Sequence, residues 1–224
     1  MTKIIALDGP SGSGKGTISR MIAENMSFSY LDSGALYRAL SIKALRHKIA
    51  SSKRTDLALL AENMDIEFST SDDGHFIVLL DGENVTAEMR TEDTGFRASE
   101  VAAYDEVRSA LLLRQRKFAV GPGLVADGRD MGTVVFPQAD LKLYLTASIE
   151  ERAQRRFKEL RDKGEDVSLR DLAEQVRVRD ERDINRQVSP LVAAKDAILV
   201  DTTGLGVRKV FDKILEIILK KNFK

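Results

Sequence analysis

The chain has no cysteine and only two histidines and four prolines, and its 35 basic residues are matched by 35 acidic ones. Each shortage excludes something. Without cysteine there are no disulfides and no thiolate zinc site, a composition that suits a reducing, cytoplasmic setting. His47 and His75 are too few and too far apart in sequence for a metal cluster, and they read as surface or loop histidines. A net charge of zero gives no overall field toward nucleic acid or an anionic membrane. The N-terminus lacks the apolar stretch of a signal peptide, and nothing approaches a membrane span. No internal repeat, low-complexity tract or Pro-rich linker is visible. With no long apolar repeat to build a zipper, a monomer is expected.

What is present is an ordinary globular composition, 43% hydrophobic and 31% charged over 224 residues. That length allows one sizeable core, or a core with a small inserted domain. Five short apolar runs end in acidic or polar residues: KIIALD at 3–8, FSYLD at 28–32, GLVAD at 123–127, KLYLT at 142–146 and AILVD at 197–201. Helical patterns at 14–25, 35–48, 105–118, 149–163, 169–185 and 207–220 separate them. The alternation predicts an α/β fold, a five-stranded parallel sheet with helices on both faces. Ligands in such sheets bind beyond the carboxyl ends of the strands. The stretch 65–90 breaks the pattern. It reads as two or three short antiparallel strands, with Asp73-Gly74 and Asp81-Gly82 as turn signals, inserted beside the parallel sheet.

The segment DGPSGSGKGT at 8–17 follows the first apolar run and fits G-x-x-x-x-G-K from Gly9 to Lys15. So much glycine is costly to order unless the backbone itself has a task. In a phosphate-binding loop it has one. Successive N–H groups wrap a polyphosphate, the following helix adds the positive end of its dipole, and Lys15 supplies a charge for the β- and γ-phosphates. The residues expected to bind nucleotide phosphates, ATP if the chain is a kinase, are Gly9, Pro10, Ser11, Gly12, Ser13, Gly14, Lys15, Gly16 and Thr17. The alternative is a tight strand-to-helix turn with a helix-end lysine. The usual motif places Ser or Thr directly after the lysine to hold Mg²⁺, whereas here Gly16 intervenes before Thr17. This G-K-G-T variant resembles that of nucleoside monophosphate kinases, where the hydroxyl is expected to reach a phosphate.

Such a loop serves phosphotransferases, GTP-dependent switches and non-catalytic ATP modules. The N-K-x-D string of a switch is absent, and the one D-x-x-G match, Asp201–Gly204, lies near the C-terminus. The arginines favour a phosphotransferase, since nine of the 20 fall between 152 and 186. Arg152, Arg155 and Arg156 share one helix face by their spacing, and Arg179, Arg182, Asp183 and Arg186 form a second stripe. Solvated helices with interleaved charge pairs are the rival reading, accepted for Arg161 and Arg170. Arginine rather than lysine suits bidentate phosphate recognition, and phosphoryl transfer is catalysed mainly by positioning and charge neutralisation.

DGPSGSGKGT, LDSGALYR at 31–38, VADGRDMGTVVFP at 125–137, ERAQRRFKEL at 151–160 and RDERDINRQVSPL at 179–191 together resemble the bacterial cytidylate kinases over essentially the whole chain. The resemblance implies transfer from ATP to CMP or dCMP with Mg²⁺. It also implies a P-loop core (1–34 and 101–224), a monophosphate-binding domain at 35–100 with the β insert, and a lid near 151–167 whose closure excludes water. By position it assigns Arg38, Arg129 and Arg186 to the acceptor phosphate, with Ser33 in the acceptor pocket. Ser99, Arg108 and Asp130 are assigned to the cytosine edge, and Arg179 and Asp183 to the sugar hydroxyls. Lys15, Arg129, Arg186, Arg155 and Arg156 are the implied catalytic set, Arg152, Arg155 and Arg156 being the lid arginines. Ser33 reads equally as a helix cap, and Arg38 and Arg108 as surface-helix arginines. No direct metal ligand is assigned. Asp127 is the candidate to hold Mg²⁺ through water, against a turn-forming Asp-Gly, with Asp32 a weaker one. The remaining rivals are another P-loop kinase, acting on UMP or a small molecule, and a GTP-dependent switch.

Overall fold

The apolar runs form a parallel sheet, the run at 123–128 buried throughout and that at 3–8 from Ile5 onward, while those at 29–32 and 198–201 are partly exposed. The computed structural model describes residues 2–70 and 76–221. Its main sheet contains β1 (Lys3–Asp8), β2 (Ser29–Asp32), β6 (Gly123–Gly128), β7 (Leu141–Thr146) and β8 (Ile198–Asp201). The strand order is β2-β6-β1-β7-β8, all parallel. Asp8 stands opposite Gly128 and Tyr144, so the strand ends carrying the sequence motifs lie side by side.

Helix α1 (Lys15–Met26) and helix α8 (Val207–Lys220) pack on this sheet. In α8, Val210, Phe211, Ile214 and Ile218 recur at helical spacing. They share a core with Ile18 and Ile22 of α1 and with Ile5, Leu7, Val125, Leu143, Leu145 and Val200 of the strands. Two further helices, α6 (Ile149–Asp162) and α7 (Leu169–Asn185), pack on each other. Both start on serine caps. Ser148 Oγ accepts from Glu151 N at 3.2 Å, and Ser168 Oγ accepts from Asp171 N at 3.3 Å.

The chain divides into two compact units, one formed by residues up to Asp32 with those from Arg116 onward, the other by Ser33–Gln115. The second unit holds α2 (Ser33–Arg46), α3 (Arg54–Asn63), β3 (Ile66–Thr70), β4 (Phe76–Leu80), β5 (Glu83–Asn84), α4 (Glu92–Val101) and α5 (Asp105–Arg116) up to Gln115. Its three strands form the antiparallel insert in the order β3-β4-β5. Asp81 and Gly82, at φ +50° and +80°, make the two-residue turn between β4 and β5 that the sequence signals. The Asp73-Gly74 signal and His75 lie outside the described residues. Lys43 of α2 fixes the observed turn, its Nζ donating to Asp81 Oδ1 at 2.7 Å. Helices α3 and α4 were not anticipated from the sequence.

Candidate active site

The turn from β1 into α1 is shaped by its glycines. A Cβ on Gly9 would fall 2.0 Å from the Leu145 carbonyl oxygen of β7, so no side chain fits where the loop leaves the sheet. Gly12 and Gly14 have φ of +77° and +89°. Helix α1 then starts with no side-chain cap and no acidic residue in its first turn, so its leading amides keep their positive potential for a ligand. Side chains hold the loop from outside. The carbonyl of Ser11 accepts from Arg152 at 3.0 Å, and that of Ser13 lies 3.1 Å from the Thr202 hydroxyl. Pro10 and Ser13 are buried, while Thr17 is exposed.

Lys15 is buried at the first position of α1. Its Nζ donates to the Pro10 carbonyl at 3.3 Å and lies 4.0 Å from Asp127 Oδ1, at the end of β6. Burial, with the charge of Arg129, pushes the Lys15 ammonium down to about 8 against the pull of Asp127. Burial pushes the Asp127 carboxyl up to about 6, with Lys15 opposing. The charges face each other in a water-poor site with no tight contact between them. Asp127 Oδ2 accepts from the Tyr30 hydroxyl at 3.3 Å, whereas Oδ1 is buried with no hydrogen-bond partner. A Cβ on residue 16 would approach Oδ2 to 3.1 Å. The glycine that departs from the usual motif thus stands where a side chain would crowd the Asp127 carboxylate.

Arg129, Arg179 and Arg186 converge on Asp183 of α7. Arg129 Nε donates to Asp183 Oδ2 at 3.0 Å. Burial drives the Asp183 carboxyl upward, but the charges of Arg129, Arg179 and Arg186 outweigh it and hold the group below the usual carboxylate range. Arg129 and Arg179 also act on Lys15. The structure thus brings the DGRD segment, the RDERDINR stripe and the phosphate loop into one cationic cluster. The Asp183 carbonyl accepts from Leu191 N at 2.8 Å, and Arg186 donates through Nε to the Ser189 carbonyl, which fixes the turn after α7. Asp130 is buried beside this cluster, and its carbonyl accepts from Val134 N and Val135 N in the π-helical turn Met131–Val135.

The three arginines of α6 have different surroundings. Arg152 is 3% exposed and committed to the protein: Nε to the Ala147 carbonyl, Nη1 to Ser11, and both terminal nitrogens to the carboxylate of Asp180 in α7, at 3.0 and 2.5 Å. Arg155 pairs with Glu151 and donates to the hydroxyl and carbonyl of Thr202 at 3.1 and 2.6 Å. Arg156 pairs with Glu159 at 2.6 Å. Asp8, Tyr30, Asp180 and Thr202 escaped the sequence reading. Only Asp8 carried a signal, as the acidic residue closing a strand.

The other expected acceptor residues belong to the second unit. Ser33 is buried at the first position of α2. Arg38 donates to the Met89 carbonyl at 2.6 Å and packs over Gly95, where a Cβ would meet its guanidinium at 3.1 Å. Ser99 of α4 is buried with its hydroxyl unpartnered. Arg108 of α5 is buried, donates to the Ala102 carbonyl at 3.1 Å, and lies 5.5 Å from the Tyr37 ring centre.

The family model described as cytidylate kinase matches residues 5–220. A cytidylate kinase of Shewanella loihica is 51% identical over 97% of this chain and 95% of its own. One from Shewanella halifaxensis is 50% identical over 97% and 95%. The solved structure of TT1252 from Thermus thermophilus covers 99% of this chain and 98% of its own, at 18% identity and a TM-score of 0.48. The match spans the phosphate loop and both arginine segments that converge on Asp183, and the chain belongs to the cytidylate kinase family.

Proposed function

We propose that this chain transfers the γ-phosphoryl group of ATP to CMP and dCMP, giving ADP and the pyrimidine diphosphate. The observation that carries the reading is the cationic cluster of Lys15, Arg129, Arg179 and Arg186 beside a phosphate loop with uncapped amides, in a member of the cytidylate kinase family. An acceptor phosphate oxygen attacks the γ-phosphorus as the bond to the β,γ-bridging oxygen breaks. The acceptor is already anionic, so no general base is needed. What the protein must do is bring two polyanions together and meet the charge that builds on the transferred group. The loop amides and Lys15 hold the donor, and Arg129 and Arg186 hold the acceptor phosphate. Arg179 and Asp183 are assigned to the sugar, and Asp130 to the N4 amino group of cytosine. In the second unit, the monophosphate-binding part of this reading, Arg38 is offered to the acceptor phosphate, Ser33 to its pocket, and Ser99 and Arg108 to the base. Residues near 151–167 form the lid, with Arg155 and Arg156 supplying positive charge.

Among the described residues, no three His, Cys, Asp or Glu side chains gather as a metal site. The unpartnered Oδ1 of Asp127 fits Mg²⁺ that arrives on nucleotide phosphates and keeps most of its water. When bound, that ion supplies neutralisation of the β- and γ-phosphate charge. Asp127 would hold it, directly or through a water.

An acceptor panel of CMP, dCMP, UMP, AMP, GMP and shikimate, with ATP and Mg²⁺, tests the assignment. ADP release should be fastest with CMP and dCMP. Faster turnover of UMP or shikimate would overturn it, and tight GTP binding without transfer would point to a switch.

A further inference from the structure

Asp8, the last residue of β1, immediately precedes the phosphate loop and is otherwise unexplained. Its backbone closes the parallel ladder opposite Gly128, the residue before Arg129. Its side chain reaches past that point: Oδ1 accepts from Met131 N and Oδ2 from Gly132 N, both at 2.8 Å and both buried. The two-residue span Arg129-Asp130 is therefore held at both ends by one residue, by backbone register before it and by a carboxylate after it. Burial pushes the Asp8 carboxyl up to about 7 against the pull of these two amides, and above that value the bonds are charge-assisted and fix direction as well as distance. The far end is closely packed too. A Cβ on Gly132 would lie 3.4 Å from Asp8 Oδ2 and 3.1 Å from the stem of Lys142.

From this juxtaposition we infer that Asp8 is a positioning residue for acceptor recognition, setting the aim of Arg129 and Asp130 relative to the phosphate loop. The inference rests on the proposed reading of Asp130 as the group that accepts from cytosine. An aspartate is required because both oxygens must accept. Asparagine presents one acceptor and one amino group, and the amino group would face an N–H donor. Because Asp8 adjoins Gly9, the same carboxylate also sets the acceptor segment against the donor loop.

Asp8→Asn should lower kcat/KM for CMP on the order of 10- to 100-fold, the rate equivalent of one charge-assisted hydrogen bond. It should narrow the CMP-to-UMP ratio of kcat/KM and leave KM for ATP within about threefold, as expected when only acceptor alignment is lost. In an Asp130→Asn background, Asp8→Asn should cost much less than it does alone, because it acts through Asp130. A support role without positioning predicts equal losses for CMP and UMP and additive effects in that cycle, and either result overturns the inference. If Asp130→Asn by itself leaves the CMP-to-UMP ratio unchanged, the base-reading role of Asp130 falls instead. The cycle of Asp8→Asn with Arg129→Ala then decides for Asp8, non-additivity supporting positioning and additivity ending it. Should Asp8→Asn fail to fold, Asp8→Glu keeps both acceptor oxygens but displaces them by one methylene, and it carries the same comparisons.

Discussion

At Lys15, function and stability pull in opposite directions. The ammonium is kept out of water near a carboxylate it does not closely pair with, an arrangement suited to an arriving polyphosphate. Lys15→Ala should remove most phosphoryl transfer, on the order of 10² to 10³ in rate, since charge is most concentrated in the transition state. Rapid-quench turnover close to that of the unmodified enzyme would exclude the role. Arg186 makes a narrower claim. Arg186→Ala should raise KM for CMP and lower kcat, leaving ATP affinity by calorimetry almost unchanged, and lysine should restore little without the guanidinium fork. Equal weakening of both nucleotides would assign this arginine elsewhere. Individual residues were legible where chemistry repeats in sequence, as with the glycines, Lys15 and the RDERDINR stripe. They were illegible where a role depends on a distant partner. Nothing in the sequence marks Asp180 as the carboxylate that Arg152 needs, or Tyr30 as the donor to Asp127.

Helices and strands were easier to read, because α/β alternation writes itself as apolar runs between amphipathic stretches. The five parallel strands and six helices stand within a few residues of the expected positions. Helix α4 was missed for a physical reason. It carries Gly95 in its interior, a poor helix former kept because the Arg38 guanidinium packs against it. Helix α3 buries only Leu57 and Ala61, too short a stripe to stand out. At this scale Arg152 is the informative side chain, since it joins α6 to α7 and to the loop carbonyl of Ser11. Arg152→Met would leave Asp180 buried without its partner, a loss of about 3–5 kcal/mol. At about 2–4 °C per kcal/mol, the melting temperature should fall by roughly 6–20 °C. KM for ATP should rise as the loop slackens. Unchanged melting with turnover alone lost would instead make Arg152 an arginine that touches the phosphoryl group.

For the molecule as a whole, the buried charges predict an unusual dependence of stability on pH. The folded chain raises Asp127 to about 6, so its ionisation is penalised above that value and relieved as pH falls toward the unfolded value. It lowers Lys15 to about 8, so that charge is penalised below 8 and relieved as pH rises toward 10.5. Both penalties operate together between about 6 and 8. The double variant Lys15→Met/Asp127→Asn should therefore melt higher than the unmodified chain, with the largest gain inside that window and smaller gains on either side. A gain independent of pH would contradict the assignment. The strand order also bears on how the protein is made. β1 and β2 never pair with each other, because β6 lies between β1 and β2 in the sheet. Lys3 must wait for Gly123, its partner in the ladder, to leave the ribosome. At about 5–20 residues per second that delay is roughly 6–24 s. The whole of Ser33–Gln115 is synthesised in the interval. The two strands that will flank β6 are therefore made before it and wait as unpaired apolar segments, exposed to association with other chains for that interval.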